Sequence, residues 1–423
     1  MTAARPGDMM GIMHPGCPVD ESFDPLSPEF LADPYAVLAK LPDQGAPVFF
    51  APSIGYYVVT RYADVEAAFR DPAVYSAAVA QAPLVPLVPE AQQILAAGNR
   101  PQPTMVSLDE PAHARLRKPA ARAFSMKRVT AMTPAIEATT VRLLDGIGTA
   151  SEFDLIAALA FPLPANIVFS LMGVPEQDFA QLKQWCGYRA ALSWGRPAPE
   201  DQVEIATNMA AYRKYLRDLV DVKVRAPGDD VASDLIAIHR EDPGRLTLAE
   251  ISSILFSLSF AGHETTTGLI GNTVRRLLEV PDRWADIVAQ PDLIPGAVEE
   301  SLRYDPSVPV WRRVTTQPVT LGGVDLPEGA RVFLWLAAAG RDAAAFGRPD
   351  EFDLRRPDAD RHLAFGLGLH YCLGANLGKL EAQIAVAELS RRYPGLSLVP
   401  DQPLTFHPNI SFRGPQALRL RTG

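Results

Sequence analysis

Hydrophobic positions recur at three- and four-residue intervals from about residue 110 to 305, the spacing of amphipathic helices. Shorter apolar runs flank that region. Gly55-Tyr56-Tyr57-Val58-Val59-Thr60 predicts a strand, with Tyr62 to Arg70 following as a helix. A β-rich patch covers 313 to 335, where Val319-Thr320-Leu321-Gly322-Gly323-Val324 predicts a hairpin. Thr247-Leu248-Ala249-Glu250 is a capping box opening a helix that runs to Val280, where Pro281 stops it. At about 1.5 Å per residue this element would span roughly 50 Å, enough to cross a whole domain. Pro295 opens a shorter helix ending at Asp305-Pro306, and helical spacing returns from Leu373 to about Tyr393. Residues 76 to 108 are rich in Pro, Ala and Leu with weak periodicity and predict a long loop, of the kind that is usually functional or mobile. Residues 1–24 predict a loose arm. No repeat and no dividing linker is present, so 25–423 predicts one mainly α domain with a smaller β-containing part.

Composition narrows the class. The chain has 423 residues, 48% of them hydrophobic, and a formal net charge of −9, which argues against nucleic acid or an anionic membrane as partner. The most apolar helical stretch, Ile251 to Ala261, is far too short to span a bilayer, and no membrane anchor is expected. Three cysteines cannot all pair and are too few for a disulfide framework, so a reducing cytoplasm fits.

The strongest chemical signal is Phe365-Gly366-Leu367-Gly368-Leu369-His370-Tyr371-Cys372-Leu373-Gly374. A lone cysteine in a Gly-rich turn is ordinarily structural. Here it meets the pattern Phe-x-x-Gly-x-x-x-Cys-x-Gly just before a helix, whose N-terminal dipole favours a thiolate. Glycines let backbone N–H groups approach the sulfur, Phe365 can cover its apolar side, and a thiolate so held suits haem iron. A thiol hydrolase built on Cys372 with His370 or His113 leaves the rest of the pattern unexplained.

A second signal sits in mid-helix, at Ala261-Gly262-His263-Glu264-Thr265-Thr266-Thr267-Gly268. Two glycines and three threonines are poor helix formers, and threonine hydroxyls compete for the carbonyls. An opened turn there could admit a small ligand, with Glu264 and Thr265 relaying protons to it. A zinc helix would need a second histidine four residues after His263, which is lacking. Glu300 and Arg303 are spaced to pair, as are Glu299 and Arg303. His113 and Arg117 project from one helix face and suit a carboxylate or phosphate, with Arg313 and His370 as further donors.

Taken in order, the cysteine loop, the broken Glu-Thr helix and the Glu-x-x-Arg helix resemble the cytochromes P450, over about residues 25 to 420. The resemblance implies the P450 fold, with haem b between the broken helix and the cysteine loop. It implies Cys372 as the haem thiolate ligand, with Phe365 and Gly374 beside it. Glu264 and Thr265 would then form the acid–alcohol pair that delivers protons, and Glu300 with Arg303 the structural pair. His113, Arg117, Arg313 and His370 would bind the propionates, and Gly340-Arg341-Asp342 would be a structural segment. Many members carry Arg where this chain has Glu351, so the third member of the Glu-Arg-Arg cluster must come from elsewhere, with Arg356 as candidate.

The implied activity is a monooxygenase of the soluble bacterial type, using O2 and a small, largely apolar or aromatic substrate. Leu84, Leu87, Val88, Ser257, Phe260, Ala261, Val310 and Ile410 are the pocket candidates, with loop 82–105 as a lid. Trp311-Arg312-Arg313-Val314-Thr315 is similar in wording to haem domains fused to a reductase, but flavin, NAD and iron–sulfur motifs are lacking. Electrons are therefore expected from NAD(P)H through a separate ferredoxin or flavodoxin docking near Arg115, Lys118, Arg122, Lys127, Arg128 and Lys379. The alternatives are a haem-thiolate sensor without turnover, or an atypical oxidation (peroxide-driven, nitration or ring coupling) on the same scaffold. A sensor has no use for an acid–alcohol pair.

Overall fold

A computed structural model describes residues 16–41, 47–97 and 102–423. The hydrophobic spacing becomes a mainly helical body with three small sheets. Val48–Ala51, Tyr56–Val59, Arg331–Trp335, Val310–Thr315 and Tyr75–Ser76 lie side by side in that order in the largest sheet. Tyr56–Val59 runs parallel to Arg331–Trp335 and all its other neighbouring pairs are antiparallel. Glu152–Asp154, Arg419–Arg421 and Ser397–Leu398 make a second sheet. The expected hairpin pairs Val319 with Leu326 and Leu321 with Val324, and Gly322 and Gly323 turn it at φ +57° and +80°. Positive φ at both central residues is what the tightest hairpin turn requires.

Local signals also set the helices. Tyr62–Arg70 buries Val65, Ala68 and Phe69, one helical face, against the sheet side of the core. The capping box is formed in full: Thr247 Oγ1 accepts from Glu250 N, and Glu250 accepts from Thr247 N at 2.9 Å. The helix it opens, Leu248–Ala261, is buried at every position from Ile251 to Phe260, as expected of an element crossing the interior. The segment to Val280 is not continuous: Gly262 and His263 separate Leu248–Ala261 from Glu264–Leu278. The first half packs in one buried cluster with Phe23, Trp194 and Trp335, the second in another with Leu377 and Ala385. Pro281, which stops that helix, also starts the next, Pro281–Ala289. Among the described residues, no helix is long and apolar enough to cross a membrane.

Two expectations are corrected. Residues 16–24 of the expected loose arm are anchored: Phe50 N donates to Pro18 O at 2.8 Å, Asp20 N to Phe50 O at 3.0 Å, and Phe23 is buried against Phe49, Phe333 and Trp335. Residues 1–15 lie outside the described residues. The stretch 76–108 is not one loop, because Pro89–Ala97 is a helix with Pro89 at its first position. Its polar face hid the periodicity, since only Ala91 is fully buried. Of the expected lid, residues 98–101 lie outside the described residues.

Candidate active site

The cysteine loop folds by its glycines. Gly366 and Gly368 take left-handed φ values of +67° and +65°, and a Cβ on Gly368 would stand 3.1 Å from Phe69 O. Between them and Gly374 the chain doubles back, so that Cys372 N donates to Phe365 O at 2.9 Å. The thiol stands three residues before the helix Ala375–Arg392, whose N-cap is Gly374. Burial pushes the Cys372 thiol up, opposed by the Gly374 N–H and by the Arg117 charge. Yet the cysteine is exposed by area. A residue both surrounded and exposed faces an internal space.

Donors without acceptors gather on one side of that space. The rings of His113 and His370 stand 4.3 Å apart, and the Nε2 of each has no hydrogen-bond partner among the described residues. Burial, then Arg313, His113 and Arg117, pushes His370 down to about 3, while burial lowers His113. Arg313 is 2% exposed, donates from Nη1 to Arg312 O, and forms no ion pair among the described residues. Burial pushes it down to about 10. Arg117 donates to Tyr371 O, tying its helix Ala112–Ala121 to the cysteine loop. A buried cation beside unpaired donors is costly unless an anion completes it.

The broken helix faces the cysteine helix. A Cβ on Gly378 would lie 3.2 Å from Thr266 Oγ1, so the two elements approach closely one residue from Thr265. The break has a steric cause as well as a propensity one, because a Cβ on Gly262 would stand 2.4 Å from Val168 Cγ2. Thr265 Oγ1 donates back to Ala261 O at 2.9 Å, and Thr267 Oγ1 to His263 O at 2.9 Å. Burial lifts the Glu264 carboxyl to about 7, opposed by the Lys183 charge. The buried His263, pushed down to about 4 by burial, is neutral at pH 7 and stands 3.6 Å from that carboxyl. Sequence reasoning missed Lys183. It lies on another helix, Phe179–Trp194, and nothing local in the sequence ties it to Glu264.

Glu300 and Arg303 pair through two 2.7 Å hydrogen bonds with both side chains fully buried. Arg303 also donates to the carbonyls of Gly340, Pro349 and Glu351. Arg356 reaches Glu300 from Nε at 3.0 Å, so the third basic residue is present although Glu351 replaces it in the usual place. The Glu351 carboxylate turns outward to Arg348. Glu299, the alternative partner, binds His362 and Lys379 instead. Arg341, of the Gly340-Arg341-Asp342 segment, sits 3.6 Å from the ring centres of both Tyr35 and Tyr304.

The pocket candidates divide. Ala261 is exposed at the end of a helix buried from Ile251 to Phe260, and Leu84, Leu87 and Val88 are half-buried. Val88 N donates to Gln202 at 2.8 Å, which fixes that segment on the helix Pro199–Arg225. Ser257, Phe260, Val310 and Ile410 are buried by protein instead. Phe260 stacks on Trp194 and meets Phe412 edge-on, and Ile410 N donates to Trp194 O.

The family model for cytochrome P450 matches residues 283–408. Cytochrome P450 107B1 of Saccharopolyspora erythraea is 38% identical over 376 residues, 87% of this chain and 89% of that protein. Cytochrome P450 monooxygenase PikC of Streptomyces venezuelae is 38% identical over 402 residues, 94% and 92% of the two chains. The crystallised cytochrome P450 CREJ in complex with (4-ethylphenyl) dihydrogen phosphate superposes with a TM-score of 0.91 at 36% identity, covering 95% of this chain and 99% of that one. The chain belongs to the cytochrome P450 family. The P450 family implies haem and monooxygenase chemistry, and the site fits that cofactor. The buried Arg313, without an ion pair among the described residues, and the two orphaned Nε2 atoms suit its carboxylates, and the thiol faces open space where the iron would stand.

Proposed function

We propose that this P450 inserts one oxygen atom of O2 into a small, largely apolar or aromatic molecule, with Cys372 as the ligand of haem b. The observation that carries the reading is an open thiol together with the orphaned Nε2 atoms of His113 and His370 and the buried Arg313, which has no ion pair among the described residues. Those three, with Arg117, would hold the propionates. A thiolate-ligated haem supplies activation of dioxygen with two electrons. The protein's own part is binding, shielding and proton movement. The Gly374 N–H and Arg117 favour the anionic sulfur, while Phe365, between His362 and Tyr371, limits water on its flank. Glu264, near half-protonated at pH 7, holds a proton where the helix opens, and the exposed Lys183 borders it toward solvent. Thr265 releases Ala261 O to pass that proton inward. Leu84, Leu87, Val88 and Ala261 offer an apolar lining that excludes water.

Electrons would come from NAD(P)H through a ferredoxin or flavodoxin type donor. Among the basic residues near the cysteine side, Arg115, Arg128 and Lys379 are paired with Glu250, Asp234 and Glu299. Lys118, Arg122 and Lys127 are exposed and form no ion pair among the described residues, so they remain for an acidic partner. The deciding experiment is the absorption spectrum of the reduced protein with carbon monoxide. The strongly red-shifted Soret band of a thiolate complex is expected. A band at the histidine–haem position in folded protein would overturn the assignment of Cys372.

A further inference from the structure

His263 sits fully buried at the break in the helix, its ring between those of Phe161 and Phe169 at centroid distances of 5.5 and 5.3 Å. The break itself gives the histidine a task. An unbroken helix would send His263 N to Ser259 O, but here it donates to Phe260 O at 3.4 Å. The imidazole supplies the missing donor, with Nδ1 at 2.6 Å from Ser259 O. A carbonyl oxygen only accepts, so Nδ1 carries the hydrogen. The ring is neutral at pH 7, because burial pushes it down to about 4, and Nε2 therefore keeps a lone pair.

That lone pair is unused. Nε2 has no hydrogen-bond partner among the described residues, and it stands 3.6 Å from Glu264 Oε2. Glu264 opens the second half-helix with a side chain 20% exposed, so it has room to close the remaining distance to a hydrogen bond. A pure acceptor can bond a carboxyl only through that carboxyl's own O–H, and it repels the carboxylate. No ion pair competes for Glu264 among the described residues. Lys183 is the cation that acts on it, yet its Nζ lies over the Phe161 ring, 3.2 Å from the centre. Burial pushes Cys186 and Tyr212 up, so both are neutral at pH 7, and Arg189 donates to Phe256 O. On the facing helix Ala375–Arg392, Lys379 pairs with Glu299 and burial pushes the Glu381 carboxyl well up. Residues 156–172, which carry Phe161 and Phe169, include no titratable side chain.

We propose that His263 is a positioning residue of the proton relay, its Nε2 accepting the Glu264 O–H and so keeping that carboxyl protonated beside the open turn. This rests on the reading of Glu264 as the relay's acid. A hydrogen bond to the neutral form favours that form, so the acid stays loaded to a higher pH than it would without the imidazole. No ion pair has to break before the proton can leave.

The test uses full-length, haem-loaded protein with its histidines labelled in heavy nitrogen, reduced under carbon monoxide so that the iron is diamagnetic. Nitrogen resonances show which ring atom bears hydrogen and whether the other accepts one. His263 is expected to carry hydrogen on Nδ1 alone, with an Nε2 resonance that moves with a midpoint near pH 7 as Glu264 loses its proton. In Glu264→Gln that movement should vanish. Infrared absorption of the protonated carboxyl, taken as the difference between each protein and its Glu264→Gln counterpart, gives the Glu264 midpoint directly. His263→Leu should lower it by about one pH unit, tenfold in proton affinity, whereas His263→Gln, which keeps an acceptor oxygen, should stay within about threefold of the wild type. Hydrogen on Nε2 in place of Nδ1, an Nε2 resonance indifferent to pH, or a movement that survives Glu264→Gln would overturn the proposal. So would an unshifted midpoint in His263→Leu, or one in His263→Gln as low as in His263→Leu. Should His263→Leu fail to load haem, the nitrogen titration of the wild type against Glu264→Gln decides alone. None of these readings depends on turnover. If Glu264 served no relay, oxygen coupling would be unchanged in Glu264→Gln while the Nε2 titration of the wild type remained.

Discussion

Arg303 holds Glu300 by two hydrogen bonds of 2.7 Å, and neither side chain has any exposed surface. Arg356 then adds a third contact to the same carboxylate at 3.0 Å. Because Arg303 also donates to Gly340, Pro349 and Glu351, the cluster ties the helix Ile294–Tyr304 to the chain leading into the cysteine loop. Removing one partner leaves a buried charge uncompensated. Arg303→Leu is expected to destabilise by about 3–5 kcal/mol and to yield mostly haem-free protein. Urea denaturation together with the haem-to-protein ratio measures this, and a loss below about 1 kcal/mol would mean the cluster does not hold the loop.

The Gly262 break rests on a contact with Val168 as much as on propensity. Gly262→Ala should gain helix propensity yet lose about 1–3 kcal/mol to overpacking. Combining it with Val168→Ala should recover most of that loss. A double-mutant cycle on thermal unfolding reads the coupling. If the two effects simply add, the clash is not what keeps Gly262 at the break.

Thr265 donates to Ala261 O, leaving its oxygen lone pairs free beside the open turn. Thr265→Ala should keep electron consumption within about threefold while directing most of it to peroxide, in line with the usual reach of a single proton-transfer group. Peroxide assayed against product under NAD(P)H and a surrogate donor checks this. Unchanged coupling would remove Thr265 from the relay.

Local chemistry was readable and long-range completion was not. Thr247 with Glu250 and Gly322 with Gly323 each carry their instruction within a few residues, and each forms as read, while the helix after Cys372 begins at Ala375. Arg356 was only a candidate, because its contact with Glu300 depends on the chain reversing between them. Lys183 gave no signal, since its meaning comes from Glu264 on another helix. Phe260 and Ile410 looked like pocket lining because they are apolar and suitably placed in the chain. Phe260 packs on Trp194 and Phe412, and Ile410 N donates to Trp194 O, contacts that only the packing reveals.

Glu264 should leave a pH signature. Burial raises its carboxyl from 4.5 to about 7, so between those values the folded protein holds a proton that the unfolded chain has released. Stability contributed by this group therefore falls as pH rises through that window, and the cost is complete above 7. Glu264→Gln removes the cost. The variant is expected to match the wild type near pH 4 and to exceed it by about 2–3 kcal/mol at pH 8. Urea midpoints of the two proteins at both pH values test it, and a difference that does not change with pH would mean Glu264 is not the group that titrates.

The docking face yields the last expectation. Lys118, Arg122 and Lys127 are exposed without ion pairs among the described residues, whereas Arg115, Arg128 and Lys379 already have carboxylate partners. An acidic donor would gain attraction from the first three and would have to break existing pairs to gain it from the others. Reduction of the haem by an acidic ferredoxin should therefore slow as salt rises, because these charges are solvent-exposed and screened. Lys127→Glu should slow it about tenfold or more at low ionic strength, within the range that electrostatic steering commands, and Lys379→Gln by less than about threefold. Stopped-flow reduction under carbon monoxide separates the two. Equal effects from the paired and unpaired lysines, or rates indifferent to salt, would place the donor on another face.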